Sequence, residues 1–192
     1  MGTSNDAGEA AYERSIKSPQ PLDPDVAAER LKDLKRIFDQ LGGVFFLVSG
    51  TCLGVIRENR FIPWDDEIDT ASVIGLHGFT EDKIESVIAA FTENGYYVHV
   101  GHSARSTSIS MVKSSIRADW TCFRIIGDHL YQYPGVKTPV RLFINLKEID
   151  FIGEKFLVPS PPEEYLGIKY GPDWTIPKGP GFEKDVVQKI PD

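Results

Sequence analysis

Apolar residues recur at helical spacing in two segments of the chain, which predicts two of the four expected helices. The first helix is expected to begin after Asp23, a suitable N-cap, and to end at Gly42 and Gly43. Pro24 suits the first helical position, because the N–H that proline lacks would have no partner within the helix there. Another helix is expected from Thr80, a candidate cap, to Gly95. Two short helices are predicted over residues 52–57 and, with Ser160 as cap, over 160–171.

Short runs rich in β-branched and aromatic residues predict the strands. They are VFFLVSGT (44–51), EIDTASVIG (67–75), YYVHV (96–100), TSISMV (107–112) and DWTCFRII (119–126). The segment EIDFIGEKFLVP (148–159) is typical of a hairpin with Gly153 and Glu154 near its turn. Residues 127–139 show no pattern that assigns them to a helix or a strand.

The length of 192 residues fits one domain with a single core. Residues 1–21 are polar and lack apolar periodicity, which predicts a flexible leader. We therefore expect one domain over 22–178, followed by a Pro/Gly-rich tail over 179–192 that runs along the surface.

The charge balance narrows the class of partner. Lys and Arg number 21 against 28 Asp and Glu, a net charge of −7, so nucleic acid is not an expected partner. Two cysteines are too few for a disulfide framework, and the first residues lack the pattern of a signal peptide, which predicts a cytoplasmic location. No apolar run approaches the roughly 20 residues of a membrane span, so no intrinsic membrane segment is expected.

The stretch FIPWDDEIDT (61–70) carries the densest charge in the chain. In an extended strand, Asp65, Glu67 and Asp69 point to one face, so the last two converge on one small volume. Carboxylates held side by side raise each other's proton affinity or bind a hard cation such as Mg²⁺. A solvated acidic loop is the alternative, but the apolar residues around the stretch favour an anchored backbone.

The segment SGTCLGVIRENRF (49–61), just before the acidic strand, has features that favour binding of an anion. Gly50 allows backbone N–H groups to approach a phosphate closely, Thr51 adds a hydroxyl, and Arg57 and Arg60 add positive charge. Most Ser-Gly-Thr turns in proteins bind no ligand. This one lies between a predicted strand and the acidic strand, and that combination favours an anion-binding role.

The segment VSGTCLGVIRENRFIPWDDEID (48–69) resembles the signature of the LicD/fukutin family, and FLVPSPPEEYLGIKYGPDW (156–174) resembles the family's closing element. The resemblance implies an α+β fold, with a nucleotidyltransferase-like mixed β-sheet flanked by helices. It also implies an enzyme, a phosphotransferase that is metal-dependent. Such an enzyme moves a phosphorylated alcohol, for example phosphocholine or ribitol phosphate, from a CDP-linked donor to a glycan or another hydroxyl acceptor.

The same resemblance implies the site residues. Glu67, Asp69 and Asp119 would hold Mg²⁺ or Mn²⁺ and carry catalysis, Asp119 as the third carboxylate and base, with Asp150 as second choice. The donor would be bound by Gly50, Thr51, Arg57 and Asp66, although Arg57 could instead pin the acidic loop through Asp65 or Asp66. Positive charges able to balance donor phosphates are Lys113, Arg117, Arg124 and Lys169.

One position departs from the family's pattern. Glu67 stands where the family usually has aspartate, and its extra methylene shifts the carboxylate by about a bond length, which matters because Mg²⁺ geometry is strict. Glu67 keeps open the alternative of a catalytically silent domain that binds a nucleotide or a partner. A second alternative is a nucleotidyltransferase that passes NMP to an acceptor.

The remaining residues of note have plainer interpretations. His99 and His102 are expected to be surface histidines, and Cys52 and Cys122 buried thiols. Tyr170 and Trp174 could stack on a cytosine base, but core packing is the expected role of aromatic residues near a last helix.

Overall fold

The computed structural model describes residues 4–133 and 135–179. The helices are α1 (Ser4–Lys17), α2 (Pro24–Gln40), α3 (Ser49–Glu58), α4 (Lys83–Glu93), α5 (Arg141–Ile144) and α6 (Pro162–Tyr170). The strands are β1 (Phe46–Leu47), β2 (Glu67–Val73), β3 (Tyr97–His102), β4 (Ser106–Lys113), β5 (Ile116–Phe123), β6 (His129–Gln132), β7 (Val136–Pro139), β8 (Lys147–Phe151) and β9 (Glu154–Val158).

Five strands form one mixed sheet in the order β1-β2-β5-β4-β3. Strands β2 and β5 run parallel, and the other neighbouring pairs run antiparallel. Two antiparallel hairpins, β6-β7 and β8-β9, form separate two-stranded sheets. The predicted α+β class, a mixed sheet flanked by helices as in a nucleotidyltransferase-like fold, is confirmed.

One face of the sheet is closed by α2 and α4 over an aromatic core. Trp120 on β5 is fully buried, and its ring lies 5.0 Å from that of Phe38 on α2. Phe38 in turn packs edge-on against Phe91 of α4. The indole Nε1 donates to Ser72 Oγ at 3.0 Å, so the one polar atom of this large side chain is satisfied. This packing fixes β2 and β5 relative to each other.

Helix α2 begins as the sequence predicts. The Asp23 carboxylate accepts hydrogen bonds from the amides of Asp25 and Val26, and Pro24 is the first helical residue. The other two predicted caps are wrong: α4 begins at Lys83 rather than after Thr80, and α6 begins at Pro162 with no side-chain cap from Ser160. The predicted strand at 44–51 shortens to β1 because α3 already begins at Ser49, three residues before the predicted start.

Residues 4–17 of the segment predicted to be a flexible leader form helix α1. This helix packs on β3 through the Tyr12 ring, which stacks on His99 with 4.4 Å between ring centroids. Gly8 lies so close to Tyr97 that a Cβ there would be 2.5 Å from the tyrosine Cβ, so the missing side chain permits the docking. These contacts join distant parts of the chain, which the polarity of the segment does not reveal.

The proposed domain limits of 22–178 stay a prediction, and of the tail at 179–192 only Gly179 lies within the described residues. The unassigned segment 127–139 contains both strands of the β6-β7 hairpin. None of the described helices is both long enough and apolar enough to span a membrane.

Candidate active site

The acidic strand and its parallel neighbour place four charged residues on one face of the sheet. Glu67 on β2 lies opposite Arg117 on β5, and Asp69 lies opposite Asp119. Directly opposed residues on neighbouring strands project from the same face, and residues two apart on one strand do likewise. The predicted pair of carboxylates is thus joined by Asp119, the first-choice third carboxylate.

This face borders a cleft of about 860 Å³. Five acidic residues lie on its wall: Asp65, Asp66, Glu67, Asp69 and Asp119. The turn of Val48, Ser49 and Gly50 closes one side, and Ser103, Ser106 and Ser108 from the β3-β4 hairpin line another. Lys169 of α6 also lines the cleft. The volume falls within the range of about 300–1,000 Å³ that is typical of ligand sites.

The turn that opens α3 holds Asp69 in place. The Gly50 amide donates to Asp69 Oδ2 at 3.1 Å, and the Asp69 amide donates to Thr51 Oγ1 at 2.9 Å. A Cβ on Gly50 would lie 2.5 Å from Asp65 Oδ2, so glycine is required by the close approach of the acidic loop. Gly50 and Thr51, expected to contact the donor, therefore make their described hydrogen bonds to the acidic strand.

Arg117 is the cation that the dense acidic charge requires. Its Nη2 lies 3.4 Å from Asp66 Oδ2 and also contacts Glu67 Oε2, and its Nη1 lies 3.6 Å from Asp119 Oδ2. Only 10% of its side chain is exposed. The sequence suggested Arg117 merely as a positive charge for phosphates. Its spacing of two from Asp119 on one strand was the signal that both side chains share a face.

Asp119 holds its proton more tightly than an ordinary aspartate. Burial raises the pKa of its carboxyl group, while the nearby Arg117 guanidinium and a hydrogen bond from Ser110 lower that pKa without cancelling the effect of burial. Ser110 lies opposite Asp119 on β4, so its position follows from the antiparallel register.

The fit of a metal ion to these residues is partial. Among the described residues, no group of three or more His, Cys, Asp or Glu side chains is arranged to hold a metal ion. The chemistry is suitable, because carboxylate oxygens are the ligands that Mg²⁺ and Mn²⁺ prefer. Asp119 Oδ1 is moreover a buried atom that accepts no hydrogen bond within the described part of the chain. Glu67, however, is engaged by Arg117.

Two of the predicted residues lie apart from this cluster. Asp150, the second choice for the third carboxylate, sits on the β8-β9 hairpin with 80% of its side chain exposed and pairs with Lys155 at 2.8 Å. Arg57 is absent from the cleft wall, within the described residues; its Nε donates to Glu58 Oε1 at 2.8 Å and only 4% of its side chain is exposed. The ion pair to Asp66, one of the two expected from Arg57, is made by Arg117.

The C-terminal element reaches the cleft through α6. Tyr165, fully buried, accepts a hydrogen bond from the Ser49 amide at 3.0 Å and donates to Gln132 Oε1 at 2.9 Å. Lys169 Nζ donates to the Tyr133 carbonyl at 2.8 Å. The sequence pattern included Tyr165 and Lys169 in the closing element but did not show that they contact the start of α3 and the β6-β7 hairpin.

The other candidate residues behave as the sequence predicts. Cys52 and Cys122 are free, buried thiols, and burial raises the pKa of both. His99 and His102 are exposed. Tyr170 is buried in the core rather than presented to the cleft.

Comparison with known proteins supports the resemblance. The profile described as LicD/FKTN/FKRP, nucleotidyltransferase domain, matches residues 42–161. Proteins named ribitol-5-phosphate transferase FKTN, from Homo sapiens and Macaca fascicularis, are each 30% identical over 160 residues, which covers 79% of this chain and 33% of the relative. The protein of that name from Mus musculus is 32% identical over 161 residues, with coverage of 79% and 32%. The chain thus spans about a third of the length of these relatives.

Proposed function

The chain belongs to the LicD/FKTN/FKRP family, and we propose that it transfers a phosphorylated alcohol from a CDP-linked donor to a hydroxyl group of a glycan or similar acceptor. The observation that carries this proposal is the parallel register of β2 and β5, which sets Asp69 beside Asp119 on the wall of a ligand-sized cleft. The relatives' name specifies ribitol 5-phosphate, a member of the proposed class of transferred group.

The residues of the cleft support distinct roles in an in-line transfer. The acceptor oxygen forms a bond to the phosphorus next to the alcohol, the bond from that phosphorus to CMP breaks, and the acceptor's proton leaves with a base. Asp119 is the proposed base, and its raised pKa favours proton uptake. The Asp69 carboxylate accepts a hydrogen bond from the Gly50 amide, and the Asp69 backbone amide donates to Thr51, so this carboxylate is held in a fixed position for an ion or a phosphate.

Charge in the cleft calls for a further cation when the donor binds. Five acidic residues line the wall together with Lys169, and the donor's pyrophosphate adds negative charge. We propose Mg²⁺ or Mn²⁺ as this cation, held by Glu67, Asp69 and Asp119; the ion would offset the charge of the donor's phosphates. Lys169, buried beside the cleft, would offset part of the same charge.

The test is a matched pair of carboxylate-to-amide variants. Asp69→Asn keeps an oxygen that can accept from the Gly50 amide but removes the negative charge, so transfer should fall by more than about 100-fold while the melting temperature is retained. Asp150→Asn makes the same change on the β8-β9 hairpin and should leave transfer unchanged. Wild-type turnover by Asp69→Asn would disprove the proposed site.

The assay should follow both products by mass, with CDP-ribitol, CDP-choline and CDP-glycerol as donors. Transfer of the alcohol phosphate releases CMP, whereas a nucleotidyltransferase that uses an NTP releases pyrophosphate, so the products separate these two reactions.

A catalytically silent domain is the second candidate function, favoured by the contact between Glu67 and Arg117. It predicts that none of these donors is consumed. A silent domain that binds a partner rather than a nucleotide would in addition show no rise in melting temperature with these donors and Mn²⁺.

A further inference from the structure

We propose that Arg117 is a resident counter-cation that competes with the divalent ion for Glu67, so that the strength of this ion pair sets the ion affinity of the cleft. The inference rests on the proposed function, since it concerns the ion that the transfer would use. It assigns to the chain a residue that controls occupancy of the site rather than one that touches the substrate.

The position of Arg117 is fixed by the sheet. Glu67 and Arg117 are partners across the parallel pair β2-β5, so their side chains leave neighbouring strands side by side on the cleft face. Arg117 is enclosed, with 10% of its side chain exposed. A guanidinium that is this buried is compatible with a stable fold only if carboxylates pair with it, because an unpaired buried charge is costly.

Arg117 pairs with three carboxylates. Nη2 contacts Glu67 Oε2 and lies 3.4 Å from Asp66 Oδ2, and Nη1 lies 3.6 Å from Asp119 Oδ2. Of these three acids, Glu67 is the one that directly opposes Arg117 across the parallel strand pair. Asp66 offers the guanidinium a second partner on the rim of the cleft, so Arg117 can release Glu67 without losing all of its pairing.

The length of the side chain at position 67 favours the pair. An aspartate there would end about 1.5 Å, one C–C bond, short of the reach of Glu67 toward Arg117. Glutamate therefore extends farther toward the guanidinium, and an oxygen that contacts Arg117 is not available to an ion in the cleft at the same time.

Asp69 is positioned independently of Glu67, by hydrogen bonds with Gly50 and Thr51 of α3. Asp119 pairs with Arg117 through Oδ2, while its Oδ1 is buried without a hydrogen bond from the described residues. A divalent ion that enters beside these two carboxylates repels the guanidinium, because like charges a few ångströms apart in a partly enclosed site interact strongly. Arg117 and the ion therefore exclude each other from Glu67.

The experiment is calorimetric titration of the full chain with Mn²⁺ alone, without donor. Arg117→Gln removes the competing charge and should bind Mn²⁺ more than about tenfold more tightly than the wild type. Arg117→Lys keeps the charge and should stay close to the wild type. The gain should disappear in the double variant Arg117→Gln/Glu67→Gln, because the released ligand is then missing.

The experiment includes one control variant, and one further variant for the case that Arg117→Gln does not fold. Arg124→Gln changes an arginine that directly follows the last residue of β5 and pairs with Glu81, so it should leave Mn²⁺ affinity unchanged. Glu67→Asp keeps all charges but weakens the reach to Arg117, so it should also bind Mn²⁺ more tightly than the wild type, and it remains usable if Arg117→Gln unfolds.

Two contrary results have different meanings. Equal Mn²⁺ affinity in the wild type, Arg117→Gln and Glu67→Asp would overturn the competition while leaving the proposed metal site intact. Failure of every variant, including the wild type, to bind Mn²⁺ would overturn both the competition and the metal dependence in the proposed function.

Discussion

The hydroxyl of Tyr165 on α6 accepts a hydrogen bond from the backbone amide of Ser49 at the start of α3. Ser49 has φ 47°, in the left-handed region that non-glycine residues adopt at a cost. The hydrogen bond stabilises this backbone conformation, and the same hydroxyl donates to Gln132 on β6. Through Tyr165, the closing element of the chain thus stabilises the turn at Ser49 and Gly50, and this turn holds Asp69.

Tyr165→Phe should destabilise the protein. The substitution leaves the Ser49 amide and Gln132 Oε1 without their shared partner in a fully buried place, which costs about 1–3 kcal/mol of unfolding free energy. Urea denaturation followed by circular dichroism measures the loss. Tyr133→Phe is the control, because Tyr133 is 84% exposed and its variant should match the wild type. Equal midpoints for both variants would show that the hydroxyl of Tyr165 does not stabilise the fold.

Gly50→Ala should damage the site more than the fold. The new Cβ would lie 2.5 Å from Asp65 Oδ2, so either the acidic loop or the start of α3 must shift and the hydrogen bond to Asp69 lengthens. We expect transfer to fall by more than about tenfold, because small displacements of a positioning group are costly to catalysis.

The control for Gly50→Ala is the same substitution in α6. At Gly167 the new Cβ would meet no described atom within 4 Å apart from its chain neighbours and the backbone of its own helix, so alanine should leave transfer intact and stabilise the helix by about 0.5–1 kcal/mol. Unchanged turnover by Gly50→Ala would refute the requirement for close approach at this turn.

The parts of the structure that the sequence predicts are those with local causes. Asp23 and Pro24 mark the start of α2 because capping acts within one turn, and alternation places Glu67 and Asp69 on one face because the strand period is two. The site as a whole depends on the pairing of β2 with β5, about fifty residues later in the chain. Only that pairing shows that Arg117 opposes Glu67.

The errors have the same origin. Helix α1 is polar in sequence and docks through Gly8 and Tyr12 onto β3, so its order depends on residues about ninety positions away. The β6 and β7 strands have four residues each, too few for a clear period. Arg57 precedes the acidic stretch and was an obvious partner for it by proximity, whereas the strand register delivers Arg117 to Asp66 instead.

Lys169→Met should weaken donor binding more than it slows the chemical step. Lys169 is buried beside the cleft, and within the described residues it is the lysine that lines the wall. Methionine keeps most of the volume but removes the charge that would balance donor phosphates, so KM for the donor should rise by about tenfold with a smaller change in kcat.

Lys155→Met is the control for this lysine, since Lys155 lies on the β8-β9 hairpin and pairs with Asp150. Steady-state kinetics over a range of donor concentrations separates KM from kcat. An unchanged KM in Lys169→Met would mean that the phosphates are bound elsewhere.

Asp119→Asn should abolish transfer and yet stabilise the ion-free protein near neutral pH. The pKa of Asp119 is raised in the folded state, chiefly by burial, so the folded protein holds this proton more tightly than the unfolded chain does. Stability from this carboxyl group is therefore greatest at low pH, where it is protonated in both states. It falls as the pH rises from the unfolded pKa through the higher folded pKa. The amide cannot ionise and avoids this loss.

Denaturation curves of the wild type and Asp119→Asn should therefore diverge with pH. In buffer without divalent ions, the unfolding free energy of the variant should increase relative to that of the wild type as the pH rises above about 4. The difference should become constant once Asp119 is ionised in the folded wild type. Asp150→Asn, at an exposed position, is the control and should show little such divergence. A variant that instead loses stability relative to the wild type as the pH rises would mean that pairing with Arg117 outweighs burial at Asp119.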